Sequence, residues 1–577
     1  AAFAEACEEA GFVFVGPPAA AIRAMGSKSE AKRLMEKAGV PLIPGYHGAQ
    51  QDAKALAKRA DKIGYPLLIK AAAGGGGRGL RRVERAQDFT SALDSARREA
   101  ESAFGDSLVL LERFLEQPRH VEVQVFADSH GNVIHLFERD CSLQRRHQKV
   151  IEEAPAPDLS AKLRKRLGEA AVAAARAIDY RGAGTVEFLV RGADCFFMEM
   201  NTRLQVEHPV TEMVTGLDLV EWQFRAAAGE PLPLAQKEIA LNGHAVEARL
   251  YAEEPARDFL PTGGRLLHLA LPDAAPDLRI ESGVGEGDTV GLHYDPMIAK
   301  LVAWGKDRTA AFRRLKAALV ETRIAGVATN LDFLARLAGH EALLGGEIDT
   351  GFIARHLAEL VPPPAPSDRE SLCMAALGEV LARRRESRAA AARSNDPWSP
   401  WSLANGWRLH GAGRATVSFL DGETRHSVEV RFRGEGFEVG ALDAWQRAVA
   451  TLEDDGLLEV ALDGHEQCGT YLRHGPDRYL LLPGKSLKLR LHDPLELSEA
   501  ADVAGARLVA PMPGKVVQLL VAPGTHVARG TPLLVLEAMK MEHSIVAPAD
   551  GTVTALHYGV DELVEEGAEL AAFEADG

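Results

Sequence analysis

The 577-residue chain is long enough for about three or four domains that each bury a core of their own. It carries 66 Lys and Arg residues against 82 Asp and Glu residues, a net charge of −16, which disfavours a nucleic-acid-binding scaffold. Its longest apolar stretches are interrupted by charge and fall short of the roughly 20 residues of a membrane span, so neither nucleic acid nor membrane is expected as a partner. The five cysteines are scattered without a Cys-x-x-Cys motif, which predicts reduced thiols.

The first seventy residues predict alternating helices and strands. The start reads as a helix that leads into a strand at residues 12–15 and a Gly-Pro-Pro turn, so the chain is expected to begin inside a βα unit. Further helices are predicted over residues 30–38 and 52–63, followed by a strand over residues 67–70.

Four consecutive glycines, Gly74, Gly75, Gly76 and Gly77, come shortly after that strand. Because glycines have no side chains to shield their backbone N–H groups, such a run can fold over a polyphosphate and donate several hydrogen bonds to it. A flexible linker is the alternative. Lys70, the last residue of the strand, would point toward the same phosphates and favours the phosphate loop.

A dense basic cluster occupies residues 138–149. It brings four fixed positive charges, Arg139, Arg145, Arg146 and Lys149, into an otherwise acidic chain. Such a run is most often a solvated surface. Strand-like runs on both sides favour an anion-binding pocket instead.

A predicted hairpin over residues 184–201 carries a candidate metal site. Glu199 and Asn201 are two residues apart, so in a strand both side chains point to one face, and Glu187 on the partner strand can meet them. Two carboxylates and an amide form an oxygen-only ligand set that suits Mg²⁺ bridged to ATP phosphates. Acidic residues on an exposed sheet face are the alternative.

The segment directly beyond the hairpin places polar groups at alternate positions. Arg203, Gln205 and Glu207 therefore fall on one side of the chain. Arg249, in a strand-like run over residues 244–249, offers another cation.

The middle of the chain begins with a stiff proline-rich connector at residues 361–366. A helix over residues 369–393 and short alternating segments over residues 407–491 predict a helix plus a small antiparallel β-barrel. Trp398, Trp401 and Trp407 are expected either in its core or at an interface.

The last seventy residues contain an internal repeat with an offset of 37, which relates Val509-Ala510-Pro511 to Val546-Ala547-Pro548. Short β-branched runs separated by Pro and Gly in both halves predict two interlocked sets of strands that form a flattened barrel. Lys540 lies between the halves, within Ala-Met-Lys-Met, and is expected at a hairpin tip. Residues 493–506 read as a linker.

Three parts of the chain resemble known protein families. Residues 1 to about 357 resemble biotin carboxylases, which are ATP-grasp enzymes, through the glycine loop and the motifs at residues 144–149, 199–203 and 205–209. The middle region resembles the subunit-contact domain of acyl-CoA carboxylase α subunits. The repeat around Lys540 resembles biotinyl domains, whose turn lysine carries biotin, whereas lipoyl domains of the same fold typically read Asp-Lys-Ala there.

The resemblances imply a multidomain fold of α/β and all-β parts. The order is an ATP-grasp biotin carboxylase, a helix plus small antiparallel β-barrel docking domain, and a flattened β-barrel biotinyl domain. The expected division is 1–40 for a remnant of the N-terminal subdomain and connector, 41–114 for the ATP-grasp lid, 115–357 for the C-terminal subdomain, 361–495 for the docking domain and 507–577 for the carrier. The opening part of the family's N-terminal subdomain is not found here, so a truncated N-terminus is expected.

The resemblances also imply residue roles. The residues implied to bind ATP are Lys28, Lys70, Gly74, Gly75, Gly76, Gly77, Glu112, Arg113, Leu115, His120, Gln144, His147, Leu189 and Glu199. The residues implied to hold Mg²⁺ or Mn²⁺ are Glu187, Glu199 and Asn201. The residues implied in catalysis are Lys149, Arg203, Gln205 and the Val206 amide around bicarbonate, Glu207 as the base, and Arg249 beside the biotin enolate. Biotin is implied on Lys540.

The domain order is similar to that of acyl-CoA carboxylase α subunits, and among these the chain looks most like those specific for 3-methylcrotonyl-CoA. Propionyl-CoA and geranyl-CoA carboxylases are close alternatives, and a non-catalytic biotin carrier is a remote one. The implied partners are bicarbonate, a biotin protein ligase and a carboxyltransferase β subunit in an α6β6 assembly. The expected location is the cytoplasm of a bacterium or the mitochondrial matrix of a eukaryote.

Overall fold

The computed structural model describes residues 1–72, 80–291, 294–434, 436–442, 444–493, 508–510, 514–538, 541–565 and 567–576. The chain opens with the helices α1 Ala2–Glu9, α2 Ala19–Gly26 and α3 Lys28–Lys37. The strand predicted over residues 12–15 is not formed, because these residues pair with no strand in the described part of the chain. The Ser27 hydroxyl caps α3 by accepting a hydrogen bond from the Glu30 amide.

A small four-stranded sheet follows. Its elements are β1 Gly45–Tyr46, α4 Ala53–Ile63, β2 Leu67–Ala71, β3 Leu80–Val83, α5 Phe89–Phe104 and β4 Val109–Arg113. The strand order is β1-β4-β2-β3, and every pairing is antiparallel. Leu56 of α4 and Leu93 of α5 pack with Ile69 and Leu111 into a core of their own. Residues 73–79, which include the four glycines, lie outside the described residues.

The next segment, residues 119–360, contains the largest sheet. Its elements are β5 Arg119–Ala127, β6 Val133–Arg145, β7 Gln148–Ala154, α6 Ala161–Arg176, β8 Gly182–Arg191, β9 Asp194–Asn201, α7 His208–Thr215, α8 Leu219–Ala227, β10 His244–Tyr251, β11 Glu253–Glu254, β12 Leu260–Pro261, β13 Gly264–Arg265, β14 His268–Ala270, β15 Leu278–Ser282, β16 Thr289–Val290, β17 Met297–Gly305, α9 Arg308–Glu321, β18 Arg323–Ala325, α10 Leu331–Ala338, α11 Glu341–Leu344, α12 Phe352–Arg355 and α13 Leu357–Leu360. Eight of the strands form one sheet in the order β15-β17-β10-β7-β6-β5-β8-β9.

The two faces of this sheet have different chemistry. On β5, Val121 and Val123 pack with helix α6 in a buried core, whereas the alternate residues His120 and Glu122 point to the other face. The strand β10 repeats this pattern, with Val246, Ala248 and Leu250 in a second core that includes α9 and α10. Polar and charged side chains therefore gather on a single face of the sheet.

The middle domain is a closed barrel wrapped around a helix. Its elements are α14 Arg369–Ala392, β19 Arg414–Asp421, β20 Thr424–Arg433, β21 Gly436–Ala441, β22 Ala444–Leu452, β23 Leu457–Leu462, β24 His465–His474, β25 Asp477–Leu482 and β26 Lys485–Leu491. The eight strands pair in sequence, and β26 closes onto β19. Residues 371–380 of the helix are buried on every side, within a core that the barrel strands share. A Cβ atom on Gly378 would lie 2.7 Å from the Tyr471 ring, so the ring and the helix pack closely at this point.

The final domain confirms the flattened barrel predicted from the repeat. Its strands are β27 Leu508–Val509, β28 Gly514–Leu519, β29 His526–Val527, β30 Pro532–Ala538, β31 Met541–Val546, β32 Gly551–Leu556, β33 Leu563–Val564 and β34 Glu569–Ala575. They form two four-stranded sheets, β27-β34-β32-β29 and β31-β30-β28-β33. The offset of 37 carries β28, β29 and β30 onto β32, β33 and β34 residue for residue. Ala538 and Met541 pair across the hairpin, and Lys540 between them lies outside the described residues.

Within the described residues, the helices include none that is both long and apolar enough to cross a membrane.

Candidate active site

A cavity of about 1050 Å³ lies between the four-stranded sheet and the polar face of the eight-stranded sheet. Every described residue that the sequence implicated in nucleotide, metal or bicarbonate binding lines it. These residues are Lys28, Lys70, Glu112, Arg113, Leu115, His120, Gln144, His147, Lys149, Glu187, Leu189, Glu199, Asn201, Arg203, Gln205, Val206, Glu207 and Arg249. The structure thus brings together side chains that are separated by as many as 221 positions in the chain.

Lys149 is the centre of the charge network. Its Nζ atom lies 2.6 Å from Glu122 Oε2, 3.3 Å from Glu187 Oε1 and 2.5 Å from Glu207 Oε1. Burial alone would lower the pKa of Lys149, but the surrounding carboxylates hold it well above its usual range. Lys149 is therefore a permanent cation at the point where three carboxylates converge.

The ion pairs also lower the pKa values of the carboxylates. Burial alone would raise the pKa of Glu122, yet Lys149 and Arg139 bring it down to about 2. Burial would likewise raise the pKa of Glu187, but Lys149 and His120 lower it to about 2. Both groups are fully ionised at neutral pH.

Arg139 supports this network from behind. It is fully buried, and its guanidinium donates to Glu122 Oε1 at 2.7 Å. Its other N–H groups donate to uncharged partners at 2.9–3.1 Å, which are Gln124, Thr211 and Thr185. Arg139 therefore compensates a buried carboxylate and does not reach the cavity.

Glu207 is held between two cations. Lys149 contacts one carboxylate oxygen, and Arg249 Nη2 donates to the other at 2.9 Å. Arg249 in turn donates through Nε to Glu152 Oε1 at 2.6 Å. Beside it, Lys300 Nζ donates to the Val206 carbonyl oxygen at 2.7 Å, which fixes the adjoining peptide. The arrangement favours the build-up of negative charge next to Glu207.

The candidate metal ligands occupy the neighbouring strands β8 and β9. Glu187 and Glu199 are directly opposite cross-strand partners, and Asn201 Nδ2 donates to Glu187 Oε1 at 2.7 Å. Burial and the nearby Glu187 raise the pKa of Glu199. A divalent cation bound by the carboxylate oxygens would relieve that repulsion, so the donor set fits Mg²⁺ or Mn²⁺.

Lysines dominate the nucleotide end of the cavity. Glu112 is buried, and its carboxylate contacts the ammonium groups of Lys32 and, at 2.6 Å, Lys70. Lys28 at the start of α3 lines the same end of the cavity, as does His147. This end can neutralise a polyphosphate.

The basic cluster at residues 138–149 divides between two roles. Arg146 and Lys149 line the cavity. Arg145 instead contacts Glu253 at 3.3 Å and lies 4.2 Å from the centre of the Phe259 ring. Two of the four cations therefore line the cavity, where anion binding stays a prediction, and the other two, Arg139 and Arg145, pair with buried carboxylates outside it.

Sequence reasoning missed the residues that support the site. Lys32, Glu122, Glu152 and Lys300 belong to helices and strands whose charges look like ordinary solvent-facing positions in the sequence. Alternation along the strand was the available signal for Glu122, because it lies two residues from His120 on β5 and therefore shares its face. Glu152 lies three residues from Lys149, and a register shift between β6 and β7 breaks the alternation there.

Four family models match successive parts of the chain. They are the carbamoyl-phosphate synthase L chain ATP binding domain over residues 27–235, the biotin carboxylase C-terminal domain over 247–355, the methylcrotonyl-CoA carboxylase α-subunit BT domain over 368–494 and the biotin-requiring enzyme model over 506–573.

Full-length relatives are also found. The chain is 48% identical over 586 residues to the mitochondrial methylcrotonoyl-CoA carboxylase subunit alpha of Dictyostelium discoideum, covering 99% of this chain and 83% of the relative. It is 45% identical to the mouse protein of the same name, covering 100% and 81%. The propionyl-CoA carboxylase alpha chain of Ruegeria pomeroyi is 38% identical, with 98% and 86% covered.

Solved structures resemble the first part of the chain. The biotin carboxylase of Campylobacter jejuni, in a beta-gamma-ATP complex, is 48% identical with a TM-score of 0.60, and the match covers 62% of this chain and 79% of the solved chain. The biotin carboxylase domain of Hydrogenobacter thermophilus 2-oxoglutarate carboxylase, bound to MgADP, ADP and bicarbonate, is 41% identical with a TM-score of 0.61 and covers 63% and 80%.

Proposed function

The chain belongs to the family of methylcrotonoyl-CoA carboxylase α subunits, and from this premise we propose that it carboxylates biotin on its own Lys540 with ATP and bicarbonate. The observation that carries the proposal is the position of Glu207, which lies between the cations of Lys149 and Arg249 inside the cavity. The biotin carboxylase matches support ATP-dependent ligase chemistry at this site.

Bicarbonate is a poor electrophile, and its activation needs both a base and phosphorylation by ATP. We assign Glu207 as the base, and Lys149, Arg203, Gln205 and the Val206 amide as the bicarbonate seat. The Arg203 guanidinium donates to Gln205 Oε1 at 2.8 Å, which orients the Gln205 amide. An ordinary glutamate, with a pKa of about 4.3, is a weak base toward bicarbonate, so the cations must stabilise the dianion as it forms.

The nucleotide occupies the other end of the cavity in this proposal. Its phosphates would meet Lys28, Lys70 and His147, together with the N–H groups of the loop Gly74–Gly77, which lies outside the described residues. The groups that shape the rest of the nucleotide pocket are Glu112, Arg113, Leu115, His120, Gln144 and Leu189. Transfer of the γ-phosphoryl group then depends on positioning and charge neutralisation.

Glu187, Glu199 and Asn201 would hold Mg²⁺ or Mn²⁺. The metal would neutralise charge on the phosphates of ATP. Gln205 Nε2 and His120 Nε2 lie 3.1 and 3.0 Å from the two oxygens of Glu187, so they fix the orientation of this ligand.

Lys540 would carry biotin, which transports the carboxyl group away from the site. The repeated strands around it build a compact support for the hairpin that β30 and β31 form. Arg249 would contact the biotin ring at the loading site. The predicted linker ahead of this domain covers residues 493–506, of which 494–506 lie outside the described residues. We assign residues 507–577 as the carrier.

A carboxyltransferase β subunit is the partner that an α subunit of this family implies. We assign residues 361–495 as its docking domain, and 1–40, 41–114 and 115–357 as the parts of the carboxylase. Trp398 is 91% exposed and Trp407 is 68% exposed, so neither belongs to the core of the barrel, which favours the interface alternative. The Trp401 side chain lies outside the described residues.

The finer points of assembly follow from the same family. We propose an α6β6 complex and modification by a biotin protein ligase. The relatives from Dictyostelium and mouse are named mitochondrial. We therefore place the protein in the mitochondrial matrix if its source is eukaryotic and in the cytoplasm if it is bacterial.

The experiment combines the biotinylated chain with its β subunit and measures carboxylation of competing acyl-CoA thioesters. We expect 3-methylcrotonyl-CoA to be preferred over propionyl-CoA and geranyl-CoA. The control variant Lys540→Arg should lose streptavidin reactivity and acyl-CoA carboxylation but retain ADP release with free biotin. Absence of bicarbonate-dependent ADP release from the wild-type chain would refute the enzymatic proposal in favour of a carrier without activity.

A further inference from the structure

Two glutamates behind Arg249 form a buried pair that the reaction described above does not use. Glu152 on β7 and Glu247 on β10 are directly opposite cross-strand partners. Side chains at such positions point to the same face and lie close together, with Cβ atoms about 4.5–5.5 Å apart. Both residues are 0% exposed. Two acidic groups thus share one solvent-free space.

The hydrogen bonds of this pair are incomplete. Arg249 donates to Glu152 Oε1, but Glu152 Oε2 and both oxygens of Glu247 have no hydrogen-bond partner among the described residues. An ionised carboxylate has only acceptors, so two ionised groups would leave three buried oxygens without donors. A single proton shared between the groups supplies one donor, and the resulting O–H···O hydrogen bond satisfies two of these three oxygens.

We propose that Glu152 and Glu247 share one proton and that this acid–carboxylate pair holds Arg249 in position next to Glu207. The pair then carries one negative charge, which matches the positive charge of Arg249. Glu247 thereby acts as a positioning residue. This inference rests on the proposed role of Arg249 in biotin carboxylation.

Burial and the neighbouring carboxylates favour the proton on Glu247, whereas Lys300 and Arg249 oppose it. Burial and the facing Glu152 raise the pKa of Glu247 well above its usual range. The charged groups that face Glu247 are Glu152 from β7, Arg249 from its own strand, Lys300 from β17 and Glu207 ahead of α7. Lys300 is already engaged by the Val206 carbonyl and, at 2.6 Å, by Glu281.

The helix α7 packs against the same region. It contributes Val210 and Val214, which lie in an apolar cluster with Ala245. This apolar cover keeps the dielectric low, which makes a second buried negative charge costly.

The test is infrared spectroscopy of the holoenzyme, because a protonated carboxylic acid has a carbonyl stretch that an ionised carboxylate lacks. At about pH 8.5, Glu253, whose pKa burial raises to about 7, is ionised and does not interfere. The difference spectrum between wild type and Glu247→Gln should show the acid band, and glutamate labelled with ¹³C should shift it. Absence of the band in wild type, or its persistence in Glu247→Gln, would overturn the shared proton.

A matched control uses a different buried carboxyl group. Glu379 is 0% exposed, but Arg478 Nε donates to it at 2.7 Å, and this contact helps to hold its pKa below the usual range against the effect of burial. Glu379→Gln should therefore leave the acid band unchanged. A loss of the band in this variant would also contradict the assignment.

Kinetics test the positioning role separately. Glu247→Leu removes the proton donor, whereas Glu247→Gln keeps a neutral hydrogen-bonding group. We expect kcat of free-biotin carboxylation to be roughly 10-fold lower in the Leu variant than in the Gln variant, with KM for ATP equal in the two. Equal kcat values would overturn the positioning role. The infrared result does not depend on turnover. Failure of the shared-proton proposal can therefore be distinguished from failure of the proposed carboxylation.

Discussion

Replacement of Lys149 by methionine should stop bicarbonate activation. The side chain keeps much of its length but loses the ammonium group that lies 2.5–3.3 Å from three carboxylates. Removal of one preorganised donor at a developing negative charge costs about 10²–10³ in kcat, or about 2.7–4 kcal/mol. Because the carboxylates would also repel the anionic substrate, KM for bicarbonate should rise.

The assay is bicarbonate-dependent ADP release with free biotin at saturating ATP. The matched control is Lys165→Met, since Lys165 lies on α6 with a side chain that is 77% exposed. We expect Lys165→Met to behave as wild type and Lys149→Met to lose at least about 100-fold in kcat. If Lys149→Met retained activity within about 5-fold of wild type while binding ATP normally, the role of Lys149 as the central cation would be refuted.

Three further predictions follow from other parts of the molecule. Arg139→Met removes one of the two cations that pair with buried Glu122 and leaves Lys149 as the other, so it should destabilise the carboxylase by up to about 3 kcal/mol, the lower end of the cost of breaking a buried ion pair, measured as a fall in the urea concentration that halves ADP release. The double variant with Glu122→Gln should recover more than half of the loss, and no recovery would contradict the pairing. Glu199→Gln should raise the Mg²⁺ concentration for half-maximal activity at least about 10-fold, whereas the exposed Glu169→Gln should not change it. Trp398→Ser should weaken binding of the β subunit at least about 30-fold in a biosensor titration, and an unchanged Kd would place the interface elsewhere.

Four strands of the sheet that carries the site, β5, β8, β9 and β10, were predictable from strand periodicity. Glu187, Glu199 and Asn201 meet as expected because a hairpin with alternating faces leaves few other arrangements. The internal repeat likewise predicted the two sheets of the last domain, since equal spacing of short strands implies equal structure. Local patterns of this kind survive folding because each depends on neighbours in sequence.

Long-range pairing was not predictable in the same way. The sequence does not reveal that Arg139 turns away from the cavity to bind Glu122, or that Glu152 faces Glu247 from a strand more than ninety residues away. A charged residue is the same letter in the sequence whether its side chain is buried or solvated, and only the fold determines which of the two it is. The predicted strand over residues 12–15 failed for a related reason, because a strand needs a partner that its own residues cannot specify.

The roles of the residues that the structure brings to the cavity stay predictions until they are tested. The glycine loop and Lys540 lie outside the described residues, and the biotin-requiring enzyme match over residues 506–573 supports the proposed role of Lys540. Trp398 and Trp407 are both exposed, which excludes the core alternative for these two residues.

The alternation along the eight-stranded sheet limits how this enzyme can vary. Val121 and Val123 face the core while His120 and Glu122 face the cavity, so the same stretch encodes both stability and catalysis in opposite phases. Insertion or deletion of a single residue within such a strand would exchange the two sets and destroy both at once. Changes in substrate binding are therefore expected as point substitutions on the cavity face of the sheet. Changes in length are expected in the loops, where they do not alter the alternation of the strands.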